Sequence, residues 1–270
     1  MIGQILLLLI VLYLYAAAPR INGRRHMGPF LEKDYAHRGL KDNSGDTPEN
    51  SLKAFRLAVE NGYGIELDVQ LSRDKVPMVF HDRTLERVCG IDKPFKDLTS
   101  IELKELRLFS SEETIPTLEE ALMEITGRVP LIIELKVHQG DDLSVCEEAQ
   151  KILDGYSGSY CVESFHPFAM VWYKKHMPHI QRGQLSLDYM KERSHGPVMD
   201  FLLHNLMFNF VTKPSFIAYR HQDKKGISLL ISKKIFKSCL VAYTVMSNEA
   251  YESNKDFYDL QIFEGFTPKK

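Results

Sequence analysis

Cysteine is scarce in this chain and never closely spaced. Cys89, Cys146, Cys161 and Cys239 stand alone among 270 residues, with no CxxC pair. That excludes a disulfide-stapled scaffold and a paired-thiolate metal site, and suits reduced, buried thiols in a cytoplasmic setting. An excess of one charge sign is missing too. Thirty-four Lys and Arg balance 36 Asp and Glu, for a formal net charge of −2 and a pI near 6.6. No Arg/Lys cluster with interleaved aromatics occurs, so nucleic acid is excluded as a partner. What is present, 44% hydrophobic and 26% charged residues, describes a globular chain long enough for one large core.

The apolar run Ile5 to Ala18 has no Lys or Arg before it. With Ile2 and Gly3 it reaches the short end of what crosses a bilayer, so residues 1–19 are expected to form a transmembrane anchor. Ala16-Ala17-Ala18 resembles a signal-peptide cleavage site, but the missing basic start and Pro19 directly after the alanines argue for an uncleaved segment. Arg20, Arg24 and Arg25 all follow the run. By the positive-inside rule the rest of the chain is expected on the cytoplasmic side of a single-pass membrane protein, joined through a basic linker at 20–33.

Chemistry concentrates in Gly64 to Asp82, GIELDVQLSRDKVPMVFHD. A strand of period two puts Glu66 and Asp68 on one face and Ile65, Leu67 and Val69 on the other. The next run, Val76 to Phe80, is almost wholly apolar, as in a sheet covered on both faces. The acids are therefore expected in an enclosed space, where two carboxylates repel one another unless a cation lies between them. A solvated acid pair is the bland alternative, and the rest of the chain weighs against it. His81 and Asp82 follow where the second run ends, and strand ends of parallel α/β proteins are where chemistry collects.

The chain alternates strand and helix from residue 34 to the C-terminus. Asp34 to Gly39 reads as a first strand ending in His37-Arg38, followed by a polar loop at 41–49 and a helix from Ser51 to Val59. After the strands at 64–69 and 76–80, residues 82–115 are too long for a plain connection and carry Thr99 and Glu102 at capping-box spacing. They read as a small insertion after the third strand. Thr117 caps the next helix, and Pro130 to Lys136 is a buried strand with a third acid, Glu134. Strands are then expected at 160–165, 180–185, 208–212 and 240–245. Eight strands alternating with helices predict an α/β fold, a (β/α)₈ TIM barrel with catalytic residues at the C-terminal strand ends. His37, Arg38, Glu66, Asp68, His81, Glu134 and Lys136 all satisfy that rule. The other histidines singled out, such as His138, His166, His176, His195, His204 and His221, have no comparable setting and are expected to be structural or surface residues.

Ala36-His37-Arg38-Gly39, Pro48-Glu49-Asn50, Glu66-Leu67-Asp68-Val69, His81-Asp82 and Glu134-Leu135-Lys136 together resemble the signature of the glycerophosphodiester phosphodiesterase family, as a membrane-anchored bacterial-type member. The match in order runs from residue 35 to about 245. The resemblance implies a barrel with a small insertion, and hydrolysis of glycerophosphodiesters to glycerol 3-phosphate and an alcohol with a divalent cation, Mg²⁺ or Ca²⁺. It implies Glu66, Asp68 and Glu134 as metal ligands and His37 and His81 as the acid–base pair. Arg38 and Lys136 would hold the phosphate, with Glu49 at the edge. Oxygen ligands suit such hard ions better than zinc. A lysophospholipid substrate, phospholipase C-like cleavage, or a non-catalytic membrane-bound barrel are the alternatives. The chain departs from the family pattern at Tyr243-Thr244, where many members carry Trp-Thr, and in its ending, Phe263 to Pro268. Both departures bear on headgroup preference.

Overall fold

The computed structural model describes residues 1–138 and 140–268. Among these, nine strands share one sheet: β1 (Tyr35–His37), β2 (Gly64–Leu71), β3 (Pro77–Val79), β4 (Leu131–Leu135), β5 (Tyr160–Ser164), β6 (Gln181–Ser186), β7 (Phe216–Arg220), β8 (Cys239–Val245) and β9 (Leu260–Phe263). All but β3 are parallel neighbours, and β9 pairs back with β1 beside β2, which closes an eight-stranded barrel. Parallel strands need crossovers, here supplied mostly by helices. Outward-facing Ile65, Leu67 and Val69 pack with Phe55 and Ala58 of the helix Leu52–Glu60 and with Leu118 and Leu122 of Leu118–Ile125. Both helices start where the sequence provides a cap: Ser51 accepts from Ala54, and Thr117 with Glu120 forms a capping box.

Three strand assignments change. β3 runs antiparallel to β2, with Val69 opposite Val79, so it is the first element of the insertion and not a barrel strand. Its apolar residues face two cores. Val79 joins the main one, while Met78 and Phe80 join a separate cluster with Leu85, Phe95, Leu103 and Ile115 inside the insertion. Residues 208–212 are not a strand. They form a turn of helix, Asn209–Thr212, and the seventh strand in chain order begins later at Phe216. The strand at 239–245 is the seventh of the barrel, and β9 is the eighth.

The segment 20–33 closes the N-terminal end of the barrel. Met27 and Phe30 are buried against interior residues Ile132, Cys161, Phe216, Cys239 and Ile262. Tyr35 donates its hydroxyl hydrogen to the carbonyl of Phe30 at 3.1 Å. Two glycines make this packing possible: a Cβ on Gly23 would meet the carbonyl oxygen of Ser215 at 2.6 Å, and one on Gly183 the Phe216 ring at 2.1 Å. The basic segment read as a linker is packed here, its apolar residues Met27 and Phe30 filling the end of the barrel.

The transmembrane expectation is corrected as well. The helix Ile2–Ala17 has 16 residues, about 24 Å at 1.5 Å per residue, against a hydrocarbon core of about 30 Å. Among the described residues no helix is long and apolar enough to cross a membrane. Its C-terminal carbonyls are held by the barrel: Asn209 donates to Ala17 at 2.9 Å and Lys213 to Ala18 at 3.0 Å. Arg20 then donates its backbone N–H to Pro214, just before β7. The helix is thus rooted at the N-terminal end of the barrel, opposite the strand ends that carry His37 and Glu134.

Candidate active site

Alternation along β2 turns Glu66 and Asp68 into the barrel. Glu134 on β4 lies opposite Asp68 in register and points the same way. The three can each offer an oxygen within 4.8 Å of the others, and all are buried. Two cations reach into the group. Lys136 Nζ lies 2.8 Å from Asp68 Oδ1 and 2.7 Å from Glu134 Oε1, and Arg38 Nε lies 3.1 Å from Asp68 Oδ2. Asn50 donates to the same Asp68 oxygen at 2.9 Å. Arg38 has φ of 59°, a strained conformation for a residue with a side chain. It lets the Arg38 N–H reach both the carbonyl and the carboxylate of Glu66, at 2.9 and 3.1 Å.

The charges do not balance. Burial opposes ionisation of Asp68, but Lys136 and Arg38 hold it well below the usual carboxylate range. For Glu66, burial and then the charges of Asp68 and Glu134 drive the carboxyl well above that range. Burial raises Glu134 too, with Asp68 adding to it and Lys136 opposing it. Three acids against two cations, with one carboxyl pushed toward its neutral form, is a donor set that fits a hard divalent ion. The set contains oxygen only, so it does not fit a zinc site built on nitrogen and sulfur.

The histidines flank this cluster. His37, at the end of β1, has Nδ1 2.6 Å from Glu264 Oε2 and Nε2 3.8 Å from Glu66 Oε2. Burial lowers its pKa to about 4, outweighing the raising influence of the Glu264 hydrogen bond. His81 follows β3. Because β3 runs backwards along β2, with Phe80 N–H donating to Asp68 O at 3.0 Å, it returns His81 to the level of the acids. Gln70 pins this turn by donating to the carbonyls of Phe80 and Asp82, each at 2.9 Å. His81 Nδ1 lies 2.6 Å from Asp82 Oδ1, and Arg87 bridges from Asp82 to Glu49. Glu49 also accepts from Arg38 at 2.7 Å. Burial opposes its ionisation, yet Arg87, Arg38 and Lys41 bring its pKa down to about 2. All eight candidate residues thus converge at one end of the barrel.

The family model for the glycerophosphoryl diester phosphodiesterase family matches residues 37–260, nearly the whole barrel. The chain belongs to this family. The glycerophosphodiester phosphodiesterase of Bacillus altitudinis is 35% identical over 175 residues, 60% of this chain and 69% of that one. A relative of the same description from Caldanaerobacter subterraneus is 32% identical over 190 residues, 65% of this chain and 76% of its own. Among solved structures, a phosphodiesterase of Oleispira antarctica in complex with the product sn-glycerol-3-phosphate superposes with a TM-score of 0.71. It is 27% identical and covers 87% of this chain and 93% of that one. The Thermotoga maritima glycerophosphodiester phosphodiesterase gives 0.65 at 25% identity, covering 86% and 94%. The protein is an enzyme, a glycerophosphodiester phosphodiesterase.

Two features of this phosphodiesterase escape a reading of its sequence, and a third fills out one already noted. Glu264 and Lys41 form one unit with His37, Lys41 Nζ lying 2.7 Å from Glu264 Oε2. Glu264 stands directly after the apolar strand β9, a visible signal, but only ring closure puts it beside residue 37. Glu163 is the second. It is level with Glu134 on β5, 1% exposed, and its Oε2 has no hydrogen-bond partner among the described residues. Burial, then the charges of Glu66 and Glu134, favour its neutral form. The third is the wall opposite. Tyr243 donates to Ser186 O at 2.7 Å and meets Phe165 edge-on at 6.0 Å, giving a body to the departure noted at Tyr243-Thr244.

The Glu264 contact makes a measurable prediction. Its carboxylate raises the His37 pKa, so Glu264→Gln leaves a weaker base and frees the ring to rotate. We expect kcat to fall by about 10²-fold with little change in KM, and the acidic limb of the pH–kcat/KM profile to move to lower pH. An unchanged kcat and profile in steady-state assays would show that Glu264 does not orient His37.

Proposed function

We propose that this enzyme hydrolyses glycerophosphodiesters to glycerol 3-phosphate and an alcohol, with His37 and His81 moving the protons. The supporting observation is the placement of two carboxylate-bound histidines around three buried acids, in a family one of whose relatives is known with bound sn-glycerol-3-phosphate. A phosphodiester anion repels nucleophiles, so its charge must be offset before attack. Arg38 and Lys136 bind it, and Glu49 fixes Arg38. His37, neutral and held through Nδ1 by Glu264, accepts the proton of the attacking water at Nε2. As the bond from phosphorus to the alcohol oxygen breaks, His81, held by Asp82, supplies a proton to that oxygen. Glu66, Asp68 and Glu134 would hold a divalent cation, Mg²⁺ or Ca²⁺, which when bound neutralises charge on the phosphoryl oxygens. Exhaustive chelation with EDTA should abolish turnover and either ion should restore it. Full turnover of metal-stripped protein would contradict the reading.

Water-soluble substrates fit better than lysophospholipids. The helix Ile2–Ala17 is apolar and exposed over most of its circumference, with Ile5 through Leu12 each about half exposed, and we propose it as a membrane contact. Arg25 beyond it is exposed and suits an anionic leaflet, while Arg24 is paired with Asp259. Its root at the N-terminal end of the barrel then leaves the catalytic end turned away from that surface.

A further inference from the structure

The catalytic residues use only part of the space at this end of the barrel. A cleft of about 650 Å³ runs from Lys136 outward, between the insertion and the loop that precedes the helix Ser144–Leu153. It shares Arg83, Thr84, Lys136 and His138 with the recess that contains His81, Asp82 and Glu134. The two are continuous, and Arg83, Thr84, Lys136 and His138 stand where they meet. A three-carbon glycerol would fill a small fraction of such a volume, so the cleft is sized for a larger group attached to the same phosphorus.

Its charge is as informative as its size. Arg73, Lys75, Arg83, Lys96 and Lys136 line it against only two carboxylates, Asp141 and Asp142. Both acids are already matched: Lys96 lies 3.1 Å from Asp141 and Lys75 3.6 Å from Asp142. Lys136 is committed to Asp68 and Glu134, and Arg73 to Glu102 at 3.3 Å. Arg83 is left over. It is exposed, lines both the cleft and the recess, and its guanidinium has no hydrogen-bond or ion-pair partner among the described residues. Beside it His138 carries a buried Nε2 that also lacks a partner. A free guanidinium fork and an unpartnered imidazole nitrogen in one cleft match the oxygens of a phosphate or carboxylate. A quaternary ammonium would instead meet net positive charge.

We infer that this cleft receives the alcohol released by the reaction, and that Arg83 makes the enzyme prefer alcohols bearing a second anionic group, phosphate or carboxylate, over cationic ones. The inference rests on the hydrolytic reading above. Arg83 is a specificity residue here and takes no part in the bond-breaking step.

A substrate series that varies only the alcohol tests this. The kcat/KM of the full-length protein is measured on glycerophospho-derivatives of glycerol phosphate, glycerate, glycerol and choline, which separates the phosphate and carboxylate arms from neutral and cationic ones. We expect at least one anionic arm to exceed choline about tenfold, with the advantage shrinking as ionic strength rises. Arg83→Gln should bring the anionic-to-choline ratio close to one, chiefly through KM, and Arg83→Lys should retain most of the preference. Equal rates on all four alcohols, or a loss in Arg83→Gln that is the same for each, would overturn the assignment while leaving hydrolysis intact. Cleavage of none of the four would instead contradict the hydrolytic reading itself.

Discussion

Glu66→Gln is expected to lower kcat by roughly 10³-fold or more, because it removes one of three carboxylates whose only evident common role is to hold a cation against the phosphoryl group. The same variant should show weakened binding of Mg²⁺ or Ca²⁺ by isothermal titration. Stability should move the other way. The folded-state pKa of Glu66 is raised, so the metal-free protein loses stability as pH rises from the ordinary carboxylate range through that elevated value. Glutamine cannot ionise and avoids this loss. In EDTA, calorimetry should therefore find the variant at least as stable as the parent at neutral pH, and the difference should vanish in acid. A variant that keeps parental turnover and ion affinity would remove Glu66 from the site. One that loses activity by unfolding would leave its role unexplained by charge.

Replacing both histidines is expected to cost little more than replacing the worse one alone. His37 and His81 lie on either side of the acids, each fixed through Nδ1 by a carboxylate at 2.6 Å. One proton must be taken and one given in a single displacement. Groups that act as a unit lose their value together, so His37→Ala, His81→Ala and the double variant should each fall by about 10²–10⁴-fold in kcat, and not by the product of the single losses. Strictly multiplicative losses would assign the two histidines to separate steps.

The parts of this protein that local patterns determine were legible, and the parts that ring closure determines were not. The alternation in Ile65 to Val69 is a property of one strand, and it correctly turned Glu66 and Asp68 inward and Ile65, Leu67 and Val69 outward. The capping boxes at Thr99 and Thr117 are similarly local, and both form. By contrast, nothing in the apolar run 76–80 tells an antiparallel insertion strand from a parallel barrel strand, since both are covered on two faces. Counting it as a barrel strand left β9, four residues long, without a place. Phe208 to Thr212 has the composition of a strand, yet Asn209 is drawn into a turn of helix that holds the carbonyl of Ala17, a contact with a residue 192 positions away. The pairing of His37 with Glu264 spans 227 positions and exists only because β9 closes on β1. The N-terminal run gave a correct helix but an incorrect span, because its length is set by where Ala17 meets the barrel.

In the proposed reaction this site breaks the bond between phosphorus and the alcohol oxygen and leaves phosphate on glycerol. Hydrolysis of glycerophosphoethanolamine in ¹⁸O-enriched water, with Mg²⁺ or Ca²⁺ present and products resolved by mass spectrometry, tests it most directly. The expected outcome is glycerol 3-phosphate carrying one ¹⁸O on phosphorus, unlabelled ethanolamine, and much slower cleavage of lysophosphatidylethanolamine under the same conditions. Phosphoethanolamine and free glycerol as the products, or label found in the ethanolamine, would contradict it.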